Sequence, residues 1–136
     1  MKLYTDGGCT NNQNDPTKRQ MRIVVADETG MVLAEHTMKG GSNNIAELWA
    51  VAEALVFANG CGIGDLDLYT DSQNTLAWLD GNVGKKLNDR VAVMNLLHTI
   101  NTLRERVRMT VTWIRRENNL AGIYIEENAV AAPKGL

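Results

Sequence analysis

With 136 residues, 44% of them hydrophobic and 22% charged, residues 1–136 read as one soluble domain with a single core, which excludes a disordered or fibrous chain. A formal net charge of −2 excludes a general electrostatic attraction to nucleic acid, so any such surface must be local. Cys9 and Cys61 match neither a disulfide framework nor a zinc site, the apolar runs are too short to span a bilayer, and Met1 leads almost directly into strand-like residues; the expected compartment is the cytoplasm, with no membrane contact.

Lys2 to Asp6 reads as a strand ended by Gly7-Gly8, and Asn11 to Lys18, polar and containing Pro16, as a loop. Met21 to Asp27 and Met31 to Met38 are β-rich runs joined through Glu28-Thr29-Gly30, which predicts a hairpin. Gly40-Gly41 breaks the third strand, and Ser42 or Asn43 can cap a helix immediately after it. Ile45, Leu48, Ala52 and Leu55 then recur at helical spacing, predicting a helix over Asn44 to Asn59. Leu66 to Thr70 is a fourth strand, and Asp71-Ser72 can cap a short helix through Leu79. A loop over Gly81 to Lys86 precedes a second long helix, Arg90 to Arg104, with Val91, Met94, Leu97 and Ile100 on its apolar stripe. Val107 to Arg115 alternates as a fifth strand, and Asn118 or Asn119 caps a last helix through about Ala131, before a tail of Pro and Gly. The order is β-β-β-α-β-α-α-β-α, an α/β chain.

The tetrapeptide Leu-Tyr-Thr-Asp occurs twice, as Leu3 to Asp6 and as Leu68 to Asp71, with different flanks. Strand side chains alternate, so Tyr and Asp share a face in each copy. A hairpin and a helix between the copies allow a right-handed crossover that returns the chain parallel to the first strand. Asp6 and Asp71 then end side by side at the edge where open α/β sheets bind ligands. Adjacent carboxylates repel, and a divalent cation such as Mg²⁺ removes the conflict. Glu47, one turn into the first helix, adds a third carboxylate, although such a residue also serves as a helix-dipole partner.

These segments resemble the ribonuclease H type 1 family: YTDGGC its first-strand motif, NNIAEL its acidic helix motif and YTDSQ its fourth-strand motif. The resemblance covers nearly the whole chain and implies the RNase H-like fold, a five-stranded mixed sheet flanked by helices. It implies endonucleolytic cleavage of the RNA strand of an RNA–DNA hybrid by two-metal-ion hydrolysis, with Mg²⁺ (or Mn²⁺ as substitute), leaving 5′-phosphate and 3′-hydroxyl ends. Asp6, Glu47 and Asp71 then match metal-binding carboxylates. Asn43, Asn44 and Gln73 match positions that touch the minor groove of the hybrid, Gly7 and Cys9 positions beside the RNA backbone and DNA strand, and Ser42 a hydroxyl on a DNA phosphate. The same residues read structurally as loop or capping residues. No protein partner is implied, and a monomer is expected.

The chain departs from the family in two places. Glycine stands at Gly122, where the family's fourth acid follows an Asn-x-x-Ala segment. Glu126 lies four residues on, the same helix face one turn later, and a long side chain leaning back can reach the space; Glu127 is offset around the helix. No histidine precedes this helix; Arg115 and Arg116 stand there, able to neutralise a phosphate but not to act as a general acid. His36 and His98 read as structural, as do Trp49, Trp78 and Trp113, with Trp78 the best placed to face a groove. Competing readings are a non-catalytic hybrid-binding module disabled at the fourth acid and another nuclease of this fold such as a junction resolvase. A proofreading exonuclease wants Asp-x-Glu on the first strand, and an actin-like ATPase half wants a second domain.

Overall fold

The computed structural model describes residues 1–10 and 18–129. Most of the polar loop expected from Asn11, the end of the last helix and the tail therefore lie outside the described residues.

The strands β1 (Lys2–Cys9), β2 (Gln20–Asp27), β3 (Val32–Lys39), β4 (Asp65–Thr70) and β5 (Arg108–Trp113) form one sheet in the order β3-β2-β1-β4-β5. The first three pair antiparallel, whereas β4 runs parallel to both β1 and β5, so the sheet is mixed. The helices are α1 (Asn43–Gly60), α2 (Gln73–Leu79), α3 (Arg90–Leu103) and α4 (Leu120–Ala129), the last preceded by a 3-10 turn at Arg116–Asn118. Among the described residues no helix is long and apolar enough to cross a membrane.

Strand alternation divides the core between the faces of the sheet. Leu3, Ile23, Val25, Leu66 and Leu68 pack with Ile45, Leu48, Val51 and Leu55 of α1, with α3 behind it. Val24 and Ala26, on the other face, pack with Ala121, Tyr124 and Ile125 of α4. The α1 stripe emerges as expected, but the α3 stripe is rotated. Val93, Leu97 and Ile100 are buried, while Val91 is 76% exposed, because α3 presents one narrow face to α1 and Val91 lies about 200° round from Val93. His36 stacks beside Trp49 and faces Glu53, and Trp78 is buried, whereas Trp113 is 42% exposed at the end of the edge strand β5.

β1 does not stop at Asp6. Gly7, Gly8 and Cys9 continue the ladder opposite Ile23, Arg22 and Met21. The glycines, expected to end the strand, instead extend it, and Gly7 permits the close crossing of α1. A Cβ there would overlap the Ala46 carbonyl and lie 2.6 Å from the Glu47 nitrogen. Nothing lies within 4 Å of a Cβ added at Gly8. Gly7→Ala should therefore lower unfolding stability by about 1–3 kcal/mol or more, and Gly8→Ala by no more than about 0.5 kcal/mol. Urea denaturation of both variants measures the difference, and equal effects would contradict the packing argument.

Candidate metal centre

The two Leu-Tyr-Thr-Asp segments lie in register on adjacent parallel strands, with Leu3 opposite Leu68 and Tyr4 opposite Tyr69. The two tyrosine rings stack with centroids 5.0 Å apart. Two residues on, the same alternation brings Asp6 and Asp71 together. Asp6 is only 5% exposed and sits within β1 rather than at its end, whereas Asp71 lies just beyond β4.

Glu47 reaches them from α1. Ser42 caps this helix, its Oγ accepting the Ile45 N–H at 3.2 Å, and the Gly7 N–H donates to Glu47 Oε1 at 3.3 Å. One carboxylate oxygen from each of Asp6, Glu47 and Asp71 lies within 4.8 Å of the others. Glu47 Oε2 is buried without a hydrogen-bond partner.

Burial and the charges of both aspartates push the Glu47 carboxyl up to about 10. Burial likewise raises Asp6, and the charge of Asp71 raises it further. Without a cation the cluster therefore holds a proton on Glu47. An array of hard oxygen donors, with one buried oxygen unmatched and charges that cannot all be carried together, fits a divalent cation.

Asn119 secures the opposite side. This residue is fully buried, and its Nδ2 donates to the Thr5 carbonyl at 2.9 Å and to Asp71 Oδ2 at 3.0 Å. Its Oδ1 accepts the Ala121 N–H at 3.1 Å and so caps α4. The sequence marked Asn119 as a possible cap, but nothing in it disclosed the bond to Asp71. The Trp113 Nε1–H donates to the Asp71 carbonyl at 3.1 Å, a second contact without a sequence signal.

Gly122 faces the cluster directly: a Cβ there would lie 3.2 Å from Asp6 Oδ2 and 3.6 Å from Asp71 Oδ2. Glu126 does not fill that space. Its Oε1 accepts from Arg116 Nε at 3.0 Å, and the two side chains are 59% and 67% exposed. The expected reach back toward Gly122 gives way to a charged donor within easier range. The one group of carboxylates brought together among the described residues is Asp6, Glu47 and Asp71.

The other expected contact residues surround this centre. Asn43, Asn44 and Gln73 are exposed in the first turns of α1 and α2. Cys9 is half-buried, and its N–H donates to Asn43 Oδ1 at 2.7 Å. Gly7 is buried and Ser42 is half-buried at its cap. Arg115 is exposed, with only a 4.0 Å approach to Glu117.

A family model described as reverse transcriptase-like matches residues 4–124. By sequence, no curated protein matches. Among solved structures, ribonuclease H1 from the halophilic archaeon Halobacterium salinarum is similar at TM-score 0.69 and 24% identity, over 96% of each chain. The N-terminal ribonuclease H domain of a Mycobacterium tuberculosis protein is similar at TM-score 0.65 and 22% identity, again over 96% of each. LC11-RNase H1, isolated from compost, is similar in its complex with an RNA/DNA hybrid at TM-score 0.62 and 25% identity, over 87% of each chain.

The raised Glu47 carboxyl gives a pH signature. Its stabilising contribution is fully present below the ordinary carboxylate value of 4.5 and is lost as pH rises toward about 10. In chelator-treated protein the melting temperature should fall across that window, less steeply in Glu47→Gln, and Mg²⁺ should raise it more at pH 8 than at pH 5.5 in the parent. A pH slope unchanged in Glu47→Gln would refute the assignment. Asn119→Ala should cost about 2–3 kcal/mol in denaturant unfolding through loss of the cap and both buried bonds; a change below about 0.5 kcal/mol would contradict its role.

Proposed function

This chain belongs to the reverse transcriptase-like family and is a ribonuclease H type 1-like protein, from which we propose that it cleaves the RNA strand of RNA–DNA hybrids endonucleolytically, leaving 5′-phosphate and 3′-hydroxyl ends. The observation that carries this reading is the convergence of Asp6, Glu47 and Asp71, with a buried Glu47 oxygen lacking any partner. The hybrid bound to the similar LC11-RNase H1 supports the substrate class. In this reading a single-domain monomer acts in the cytoplasm.

Asp6, Glu47 and Asp71 would hold the divalent ions, Mg²⁺ with Mn²⁺ as substitute, two being expected. When bound there, such ions supply polarisation of a phosphate and a water of lowered pKa. The protein's part is to keep the three carboxylates converged. Asn119 fixes Asp71 at one oxygen, and the Gly7 N–H fixes one oxygen of Glu47.

Substrate binding falls to the rim. The exposed amides of Asn43, Asn44 and Gln73 can donate and accept against base edges and 2′-hydroxyls in a wide minor groove. Asn43 already uses its Oδ1 on Cys9, which leaves its NH₂ free to donate outward. Gly7 and Cys9 use their N–H groups within the protein, so their place against the backbone strands rests on shape. Ser42 uses a lone pair as a cap and retains its hydroxyl proton for a phosphate. Arg115, exposed beside the 3-10 turn, can neutralise another.

A non-catalytic hybrid-binding module is favoured by one observation, the absence of a carboxylate at Gly122 where a side chain would face both aspartates. A labelled RNA–DNA hybrid, duplex DNA and duplex RNA, each incubated with protein and Mg²⁺ or Mn²⁺, separates the readings. Hybrid cleavage is expected, reduced more than about a hundredfold in Asp71→Asn, beyond the effect of losing an outer partner of a metal ligand. Hybrid binding without cleavage in either ion would establish the module instead, and equal cleavage of duplex DNA would point to a resolvase.

A further inference from the structure

Asp6 and Asp71 are held by different means. Asp6 stands within β1, paired across the sheet with Val24, so the ladder fixes its main chain. Asp71 lies one residue past the last pair of the β4–β5 ladder, Thr70 opposite Trp113. A backbone bond from the Ile114 N–H to the Thr70 carbonyl, 2.9 Å long, closes that ladder. The next carbonyl, that of Asp71, is met by a side chain: the indole N–H of Trp113 donates to it at 3.1 Å. Beyond Asp71 the chain turns into α2, with the Ser72 N–H on Thr70 Oγ1 at 3.1 Å and Ser72 Oγ capping the Thr75 N–H at 3.1 Å. Asp71 therefore bridges a strand and a helix, and the orientation of its main chain sets the direction in which its carboxylate leaves. The Trp113 ring is 42% exposed, so burial alone does not account for where it lies.

We propose that Trp113 is a positioning residue for Asp71. Its indole N–H takes the place of a ladder bond just beyond the end of the ladder, and so aims the Asp71 carboxylate at Asp6 and Glu47. The inference rests on the metal reading of these three acids and deepens the proposed hybrid cleavage. Outer partners of this kind orient the groups that hold a metal ion. Trp113 grips Asp71 through its main chain and Asn119 grips it through a carboxylate oxygen, so the acid is fixed at both ends. The role belongs to the N–H rather than to the area of the ring.

That distinction can be tested by substitution. Phenylalanine keeps an aromatic ring and removes the donor. Histidine returns one, because imidazole Nε2 and indole Nε1 stand at the same place in the five-membered ring. Mn²⁺ titrated calorimetrically into metal-free protein at pH 8, above the ordinary histidine value, measures ion affinity, and hybrid cleavage in Mn²⁺ measures kcat and KM. In Trp113→Phe the Mn²⁺ affinity and kcat should each fall roughly tenfold, with KM within roughly twofold of the parent. Trp113→His should recover both to within roughly threefold. Thr110→Val deletes another side-chain bond between β5 and β4, from Thr110 Oγ1 to Asp67 at 2.7 Å, and should change neither. An unchanged Mn²⁺ affinity in Trp113→Phe, or a raised KM at unchanged kcat, overturns the positioning role. A Trp113→His variant as impaired as Trp113→Phe, or an equal loss in Thr110→Val, overturns it as well. Mn²⁺ binding without hybrid cleavage by the parent removes the proposed activity alone, and the affinities of the variants then decide this inference. No Mn²⁺ binding by the parent removes both.

Discussion

Asp6 and Asp71, brought to the same side of neighbouring parallel strands, repel each other, and the burial of Asp6 leaves little water to relieve that repulsion. Asp6 is almost fully buried, and Asp71 is fixed by bonds to its side chain and to its carbonyl. Burial makes a carboxylate charge unfavourable unless something answers it. The nearby structure can be understood as a set of answers: a proton kept on Glu47, an amide from Asn119 and, in the functional reading, a divalent ion.

The placement of Glu47 depends on a detail of packing that involves no charge. α1 lies on one face of the sheet with Leu48, Val51 and Leu55 turned into the core. Its first turn can cross β1 only because residue 7 has no side chain. A larger residue would push the helix away from the strand and carry Glu47 with it, so a steric requirement in the core governs the spacing of an electrostatic site. Gly122 works in the opposite sense on the other face, leaving room where a side chain would meet two carboxylates. One glycine brings an acid closer, and the other keeps α4 from adding one.

Much of this was legible in the sequence because it is carried by short-range pattern. The doubled Leu-Tyr-Thr-Asp announced two strands and the alternation that places both aspartates on one side, and the pairing of Tyr4 with Tyr69 agrees with it. Ser42 and Ser72 announced helix starts, and each caps its helix. What escaped depends on three dimensions. The run from Gly7 to Cys9 looked like the end of a strand because glycine is a poor strand former, yet pairing with β2 carries the ladder through. The stripe of α3 was misplaced because several phases of its apolar residues are acceptable until the partner is known. Asn119 looked like one of two capping candidates, and its bond to Asp71 spans 48 residues. The preference of Glu126 for Arg116 over the space at Gly122 is a competition between side chains that spacing on a helix does not decide.

The bond from Asn119 to the Thr5 carbonyl joins residues 114 apart in the chain. Loop-closure entropy places such a contact among the last to form, after the local hairpin and helices have shortened the effective loop. During synthesis a ribosome-bound chain can have exposed β1 to α3, and both aspartates with them, before Asn119 has left the exit tunnel. Such an intermediate has the acids without the amide that orders them. The residue that caps α4 is then what separates acids merely brought together from acids held in order.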